Sequence, residues 1–200
     1  MPSENIVYLD LTTFDDGKVL RGGALVTDST TEPLEFRCTD AVRPTALQQI
    51  LWGARLDGHV AANIIGLPLL RRISQDYGLV VVKNPDFLEV RLSIEQPVIL
   101  MLRDSAIEFE EPDRRTNAQW ALDMAKGPEE AGADGESEAV LANPSGRFEP
   151  VVLQCHPGYP NDRPKAREAL APVFGQRDVF EPFSRIAAAL ESVHEQKLGE

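Results

Sequence analysis

A chain of 200 residues, 42% hydrophobic and 26% charged, is long enough to bury a core and suits one domain over residues 1–200. Its formal charge is −12, but Asp104 to Glu138 holds eleven acidic residues against Arg114, Arg115 and Lys126, so the remainder is close to neutral. No apolar run approaches the roughly 18 residues that span a bilayer, no basic-then-apolar leader opens the chain, and no dense Lys/Arg stretch with aromatics marks a phosphate-tracking surface. A cytoplasmic protein is expected, with no membrane and with nucleic acid not indicated.

Ile6 to Leu11 is a β-rich run, and Asp15-Asp16-Gly17 after it is a hairpin signal. Lys18 to Val26 reads as the return strand, with Gly22-Gly23 marking a bulge or a close backbone approach. Leu34 to Cys38 makes a third meander strand. Pro44 suits a first helical turn, and Leu47, Ile50, Leu51 and Ala54 repeat at helical spacing. Gly53, Gly58, Gly66 and Pro68 divide that region into a helix to about Leu56, a segment around His59–Ile65 and a short one from Pro68 to Ile73.

Leu79–Val82 reads as a buried strand, the alternating Leu88–Leu92 as a half-exposed one and Val98–Leu102 as a third. Arg115–Ala125 suits a short helix. The Gly-, Glu-, Ala- and Ser-rich stretch at about 127–147 reads as a flexible acidic insertion. Val151–Cys155 is a strand, Lys165–Phe174 a helix, and Glu181-Pro182-Phe183 opens a final helix. The fold class is α/β or α+β: an N-terminal antiparallel meander leading into a mixed sheet of six or seven strands with helices packed on it.

Cys38 and Cys155 each end a strand that leads through a polar turn and an Arg-Pro pair into a helix. If those strands are parallel neighbours, Cys38, Asp40, Cys155 and His156 meet at one sheet edge. Such a group would bind a transition metal or, through Cys155 and His156, act as a thiol nucleophile. The alternative is two small buried hydrophobes at strand ends. The loop from His156 to Asp162 is a second candidate, because ligands of open α/β sheets bind where strands give way to helices. There Asn161 or Asp162 would cap the helix while Arg163, Lys165 and Arg167 add positive charge suited to an anion; plain turn chemistry explains the same residues. His194, among Glu191, Glu195 and Lys197, reads as solvated.

Asp10 is the third candidate. A carboxylate in the first strand of a three-strand meander followed by a helix resembles the order of elements in ribonuclease-H-like folds. That resemblance covers about the first third of the chain and implies a catalytic metal at Asp10, with Glu35, Asp40, Asp57 and Asp86 as the available partners.

No P-loop, dinucleotide fingerprint, nucleophile elbow or HExxH helix is present, and no motif requires a cofactor. The acid clusters at Glu108-Phe109-Glu110-Glu111 and Glu129-Glu130 suit docking on a basic partner. The expectation is therefore a non-catalytic accessory protein with a protein partner. The alternative is an enzyme: a metal-dependent nuclease or hydrolase of ribonuclease-H-like architecture, or a thiol- or metal-assisted hydrolase.

Overall fold

The structure, a computed structural model, describes residues 4–103 and 139–198. Strands β1 (Ile6–Phe14) and β2 (Val19–Thr27) form an antiparallel hairpin. Its turn has positive φ at Asp15 (52°), Asp16 (55°) and Gly17 (83°), the left-handed region that Gly and short polar side chains tolerate. Strand β3 (Pro33–Cys38) pairs antiparallel with β2, completing the expected meander.

Helix α1 (Ala46–Trp52) begins with a capping box: Thr45 Oγ1 accepts from Gln48 N at 3.2 Å, and Gln48 Oε1 accepts from Thr45 N at 2.8 Å. Pro44 therefore precedes the cap and is not in the first turn. The chain continues through a 3₁₀ turn (Gly53–Arg55), α2 (Leu56–His59), a π-helical stretch (Val60–Gly66) and α3 (Leu67–Leu70). Despite their helical spacing, Leu47, Ile50 and Leu51 are exposed, Ile50 by 78%. The backbone breaks at Gly53 (φ 52°), and burial in the core begins only at Leu56.

Strands β4 (Leu79–Val82) and β5 (Val98–Arg103) extend the sheet in parallel from β1. Between them, Pro85–Ser93 is a 3₁₀ helix, which corrects the expected strand at Leu88–Leu92. Asn84 Oδ1 accepts from Asp86 N at 2.9 Å, Pro85 sets the first turn, and Phe87, Leu88 and Val90 are buried. Strands β6 (Val140–Leu141) and β7 (Val151–Cys155) are antiparallel to each other, and β7 to β5. Helices α4 (Asp162–Phe174) and α5 (Glu181–Leu198) follow. The described residues thus form a seven-stranded mixed sheet in the order β3-β2-β1-β4-β5-β7-β6.

Side chains alternate across a strand, so β1 feeds two cores. Val7 and Leu9 face the helical run, with Ile65, Leu69 and Phe87. Ile6 and Tyr8 face α4 and α5, with Phe174, Phe183 and Ile186. Strand β2 is pressed from both sides. A Cβ on Gly22 would lie 2.0 Å from Ile65 Cγ2, and one on Gly23 would lie 2.7 Å from Ile186 Cγ2. The close approach expected at this Gly pair is present on both faces.

Of the expected acidic insertion, 127–138 lies outside the described residues, as do the Arg115–Ala125 helix and both acid clusters. The remainder is built into the fold. Val140 and Leu141 pair with β7, and Asn143 is buried, accepting from Ser145 N, Ser145 Oγ and Arg147 N while donating to the Phe174 carbonyl. Arg103 and Leu141 both pair with Val151, from opposite sides.

Candidate functional site

The strand order separates the two cysteines. Cys38 ends β3 at one edge, and β2, β1, β4 and β5 lie between it and β7, which carries Cys155. At about 4.8 Å per strand the gap exceeds about 20 Å. A shared site of Cys38, Asp40, Cys155 and His156 is therefore not formed, because strands joined by similar turns need not be neighbours. Cys38 is exposed. Cys155 is partly buried, with its Sγ 3.9 Å from the Pro160 carbonyl, and burial pushes its thiol above the ordinary value. His156 serves its own turn: Nδ1 accepts from Gly158 N at 3.1 Å, and Nε2 lies 3.9 Å from Glu89 Oε1.

The loop before α4 is engaged in holding the fold. Asp162 is buried and receives Arg91 Nε at 2.5 Å, Arg91 Nη2 at 3.3 Å and Val98 N at 3.3 Å. The Arg91 guanidinium stacks 3.8 Å from the Tyr159 ring centroid. Asn161 is the residue at the helix cap, but its side chain makes no capping bond. Arg163 and Lys165 lie in the first turn of α4. Asp162 is thus a structural tie between α4, β5 and the 3₁₀ helix.

Asp10 has the most chemically loaded surroundings. The parallel ladder pairs Leu9 with Val82, so the next residues, Asp10 and Lys83, come abreast as β4 ends. Both continue the face of Tyr8 and Val81 toward α5. Lys83 Nζ lies 2.8 Å from Asp10 Oδ2 in an ion pair. The Asp10 side chain is 2% exposed and that of Lys83 42%. Opposite Asp10 on β2 is Gly23, which brings no side chain. Phe183 of α5 lies under the ammonium, 5.6 Å from ring centroid to Nζ. Burial raises the Asp10 carboxyl above its ordinary pKa, and Lys83 opposes that rise.

Two pairs further along the same face, the hairpin and α5 build a buried polar group. Arg21, paired with Thr12, donates from Nε to His194 Nδ1 at 3.2 Å. With Nδ1 accepting, the imidazole proton sits on Nε2, 3.6 Å from Asp15 Oδ1. Phe14 stacks on the ring at 4.1 Å. His194 is buried, which corrects its expected solvated place. Phe183, Ile186, Leu190 and His194 follow one another at helical spacing and are all buried, and that periodicity was the available signal.

Of the carboxylates expected to join Asp10, Glu35 is occupied elsewhere. Glu35 accepts from Arg37, Ser74 N and Gln75 N. Asp86 is raised by burial and then by nearby Asp57. Among the described residues no group of three His, Cys, Asp or Glu is placed to hold a metal ion. A catalytic metal at Asp10, implied by the ribonuclease-H-like order of elements, does not fit this set: one carboxylate is present and a lysine ammonium already lies against it.

No family model matches the chain, and no curated protein does. Solved structures do. Endonuclease V from Streptomyces avermitilis matches at 15% identity and TM-score 0.52, covering 97% of this chain and 85% of that one. Endonuclease V from Bacillus subtilis matches at 12% identity and TM-score 0.55, covering 98% and 86%. Endonuclease V from Ciona intestinalis, in complex with a DNA containing inosine, matches at 11% identity and TM-score 0.47, covering 96% and 92%.

These matches run against the expectation of a protein partner with nucleic acid not indicated: the solved structures that share the fold are endonucleases. Among the described residues no helix is long and apolar enough to cross a membrane. At such identities the likeness is one of fold, and the fold is the α/β architecture of the ribonuclease-H-like class, shared with the Endonuclease V structures.

Proposed function

We propose that this chain acts on nucleic acid, as a nuclease-type protein that takes a phosphodiester backbone at the sheet end where Asp10 and Lys83 meet. The observation that carries this reading is the position of that pair. A buried carboxylate of the first strand stands beside a partly exposed ammonium at the end of the parallel neighbour, on a sheet of endonuclease architecture. An ammonium is a compact donor suited to phosphate oxygen. The formal charge outside 104–138 is only −4.

The test is incubation of the full chain with end-labelled single-stranded DNA, duplex DNA and RNA at low salt. Retardation is read on native gels and scission on denaturing gels. A retarded or cut strand is expected, with the signal reduced in Lys83→Ala. A chain that neither retards nor cuts any of the three overturns the reading.

A further inference from the structure

Resting on that reading, we infer that the Lys83 ammonium takes the position beside Asp10 that a divalent cation would hold in a metal-dependent nuclease of this architecture, so that this site engages phosphodiester without a metal ion.

The geometry supports this at each step. Strand register, not side-chain flexibility, delivers Lys83: the ladder from Ile6–Leu79 to Leu9–Val82 leaves Asp10 and Lys83 as the next facing residues. The contact is 2.8 Å, and the carboxylate is almost wholly enclosed. One enclosed negative charge thus meets one partly exposed positive charge. A divalent ion entering there would gain one carboxylate and meet a lysine cation in its own coordination sphere, which is repulsive where water screens poorly.

Among the described residues no further His, Cys, Asp or Glu joins Asp10 to make a group of three that could hold a metal ion. Gly23 faces Asp10 across the hairpin without a side chain, and Ile186 packs against it. Phe183 offers the lysine a ring face, which favours a monovalent organic cation. Glu35 is held by Ser74 N and Gln75 N, and Asp57 and Asp86 lie close to one another. Because the Lys83 side chain remains 42% exposed, it can approach a phosphate while Asp10 holds it in place. Asp10 is then a positioning residue for Lys83, and need not touch nucleic acid itself.

The experiment is a manganese titration followed by electron paramagnetic resonance of the free ion, on the full chain and on Lys83→Asp and Asp10→Asn. The wild type is expected to bind no manganese at this site up to millimolar ion, so that Asp10→Asn leaves its titration unchanged. Lys83→Asp, which sets two carboxylates abreast, is expected to gain one site. A stoichiometric wild-type site lost in Asp10→Asn would overturn the inference. So would a Lys83→Asp chain, folded by circular dichroism, that gains none, since Lys83 would then not be what keeps the ion out.

Strand retardation in EDTA and in magnesium separates this inference from the functional reading. Equal retardation in both supports the inference. Retardation only with magnesium overturns it and leaves the functional reading standing. No retardation in either removes that reading, while the manganese titration still judges the role of Lys83.

Discussion

Arg91 grips Asp162 through two nitrogens, Nε at 2.5 Å and Nη2 at 3.3 Å, joining residues 71 positions apart in sequence. The arginine side chain is 11% exposed and the aspartate 2%, so neither charge is strongly screened by water. Removing one partner of such a pair leaves an uncompensated charge and costs about 3–5 kcal/mol. Asp162→Ala is expected to lower unfolding free energy by that order in urea titrations. Arg91→Met with Asp162→Leu is expected to recover much of the loss. An Asp162→Ala chain as stable as wild type would show that the pair contributes little to the fold.

Asp10 links the site to acid–base behaviour. Burial raises its pKa and Lys83 opposes the rise. A carboxyl that holds its proton more tightly folded than unfolded adds stability below its unfolded-state value, near the ordinary 3.8, and that contribution is lost as pH rises through the folded value. Asp10→Asn is therefore expected to melt above wild type at neutral pH, with the gap closing on acidification below the ordinary value. Melting curves across pH check the sign. A wild type that gains on the variant as pH rises would mean that the lysine outweighs burial.

The two cysteines are expected to react at different rates. Cys38 is exposed at the end of β3, while Cys155 is partly buried and its thiol is pushed up by burial. The thiolate is the reactive form, so a raised pKa slows alkylation. Mass spectrometry after timed iodoacetamide exposure at neutral pH should find Cys38 modified first. Fast labelling of Cys155 would restore the case for thiol chemistry beside His156.

Gly22 is expected to be coupled to Ile65. A methyl at Gly22 would collide with the Ile65 side chain at 2.0 Å, and overpacking of this kind costs about 1–3 kcal/mol. In Gly22→Ala/Ile65→Ala the collision is removed, so the double variant should be more stable than the sum of the two single losses predicts. Simple additivity in a denaturation cycle would show that the helical run shifts freely over β2.

Tyr8 carries a buried hydroxyl with no hydrogen-bond partner among the described residues, its ring edge-on to Phe183 at 5.4 Å. An unmade bond at a buried polar atom costs about 1–3 kcal/mol. Tyr8→Phe is accordingly expected to raise the melting temperature, and a fall would reveal a bound water serving that oxygen.

The parts of the fold that were legible in the sequence were those determined by local chemistry. The Asp15-Asp16-Gly17 turn needs left-handed residues in a row and has them. Leu79–Val82 is apolar throughout because both faces are covered. Leu88–Leu92 misled because a short alternating pattern also fits a tight helix capped by Asn84-Pro85. Cys38 and Cys155 misled because chain order does not state strand order. Asp10 stood out as a carboxylate in an apolar strand. Lys83 did not, since a lysine after a run of valines reads as an ordinary surface charge until the register of β1 on β4 is known.

Arg103 and Leu141 flank Val151 on either side, which places the exit and re-entry of residues 104–138 two strand spacings apart, about 10 Å. The sheet therefore fixes the two feet of this segment and not its length. Loop closure depends only weakly on the number of residues enclosed, so a short linker grafted between those feet should leave the β5–β7–β6 ladder in register. Such a graft would also remove the 104–138 excess of eight negative charges and bring the protein's charge from −12 to about −4. Val151 is in that sense the strand position that holds the two feet of the segment at a set separation.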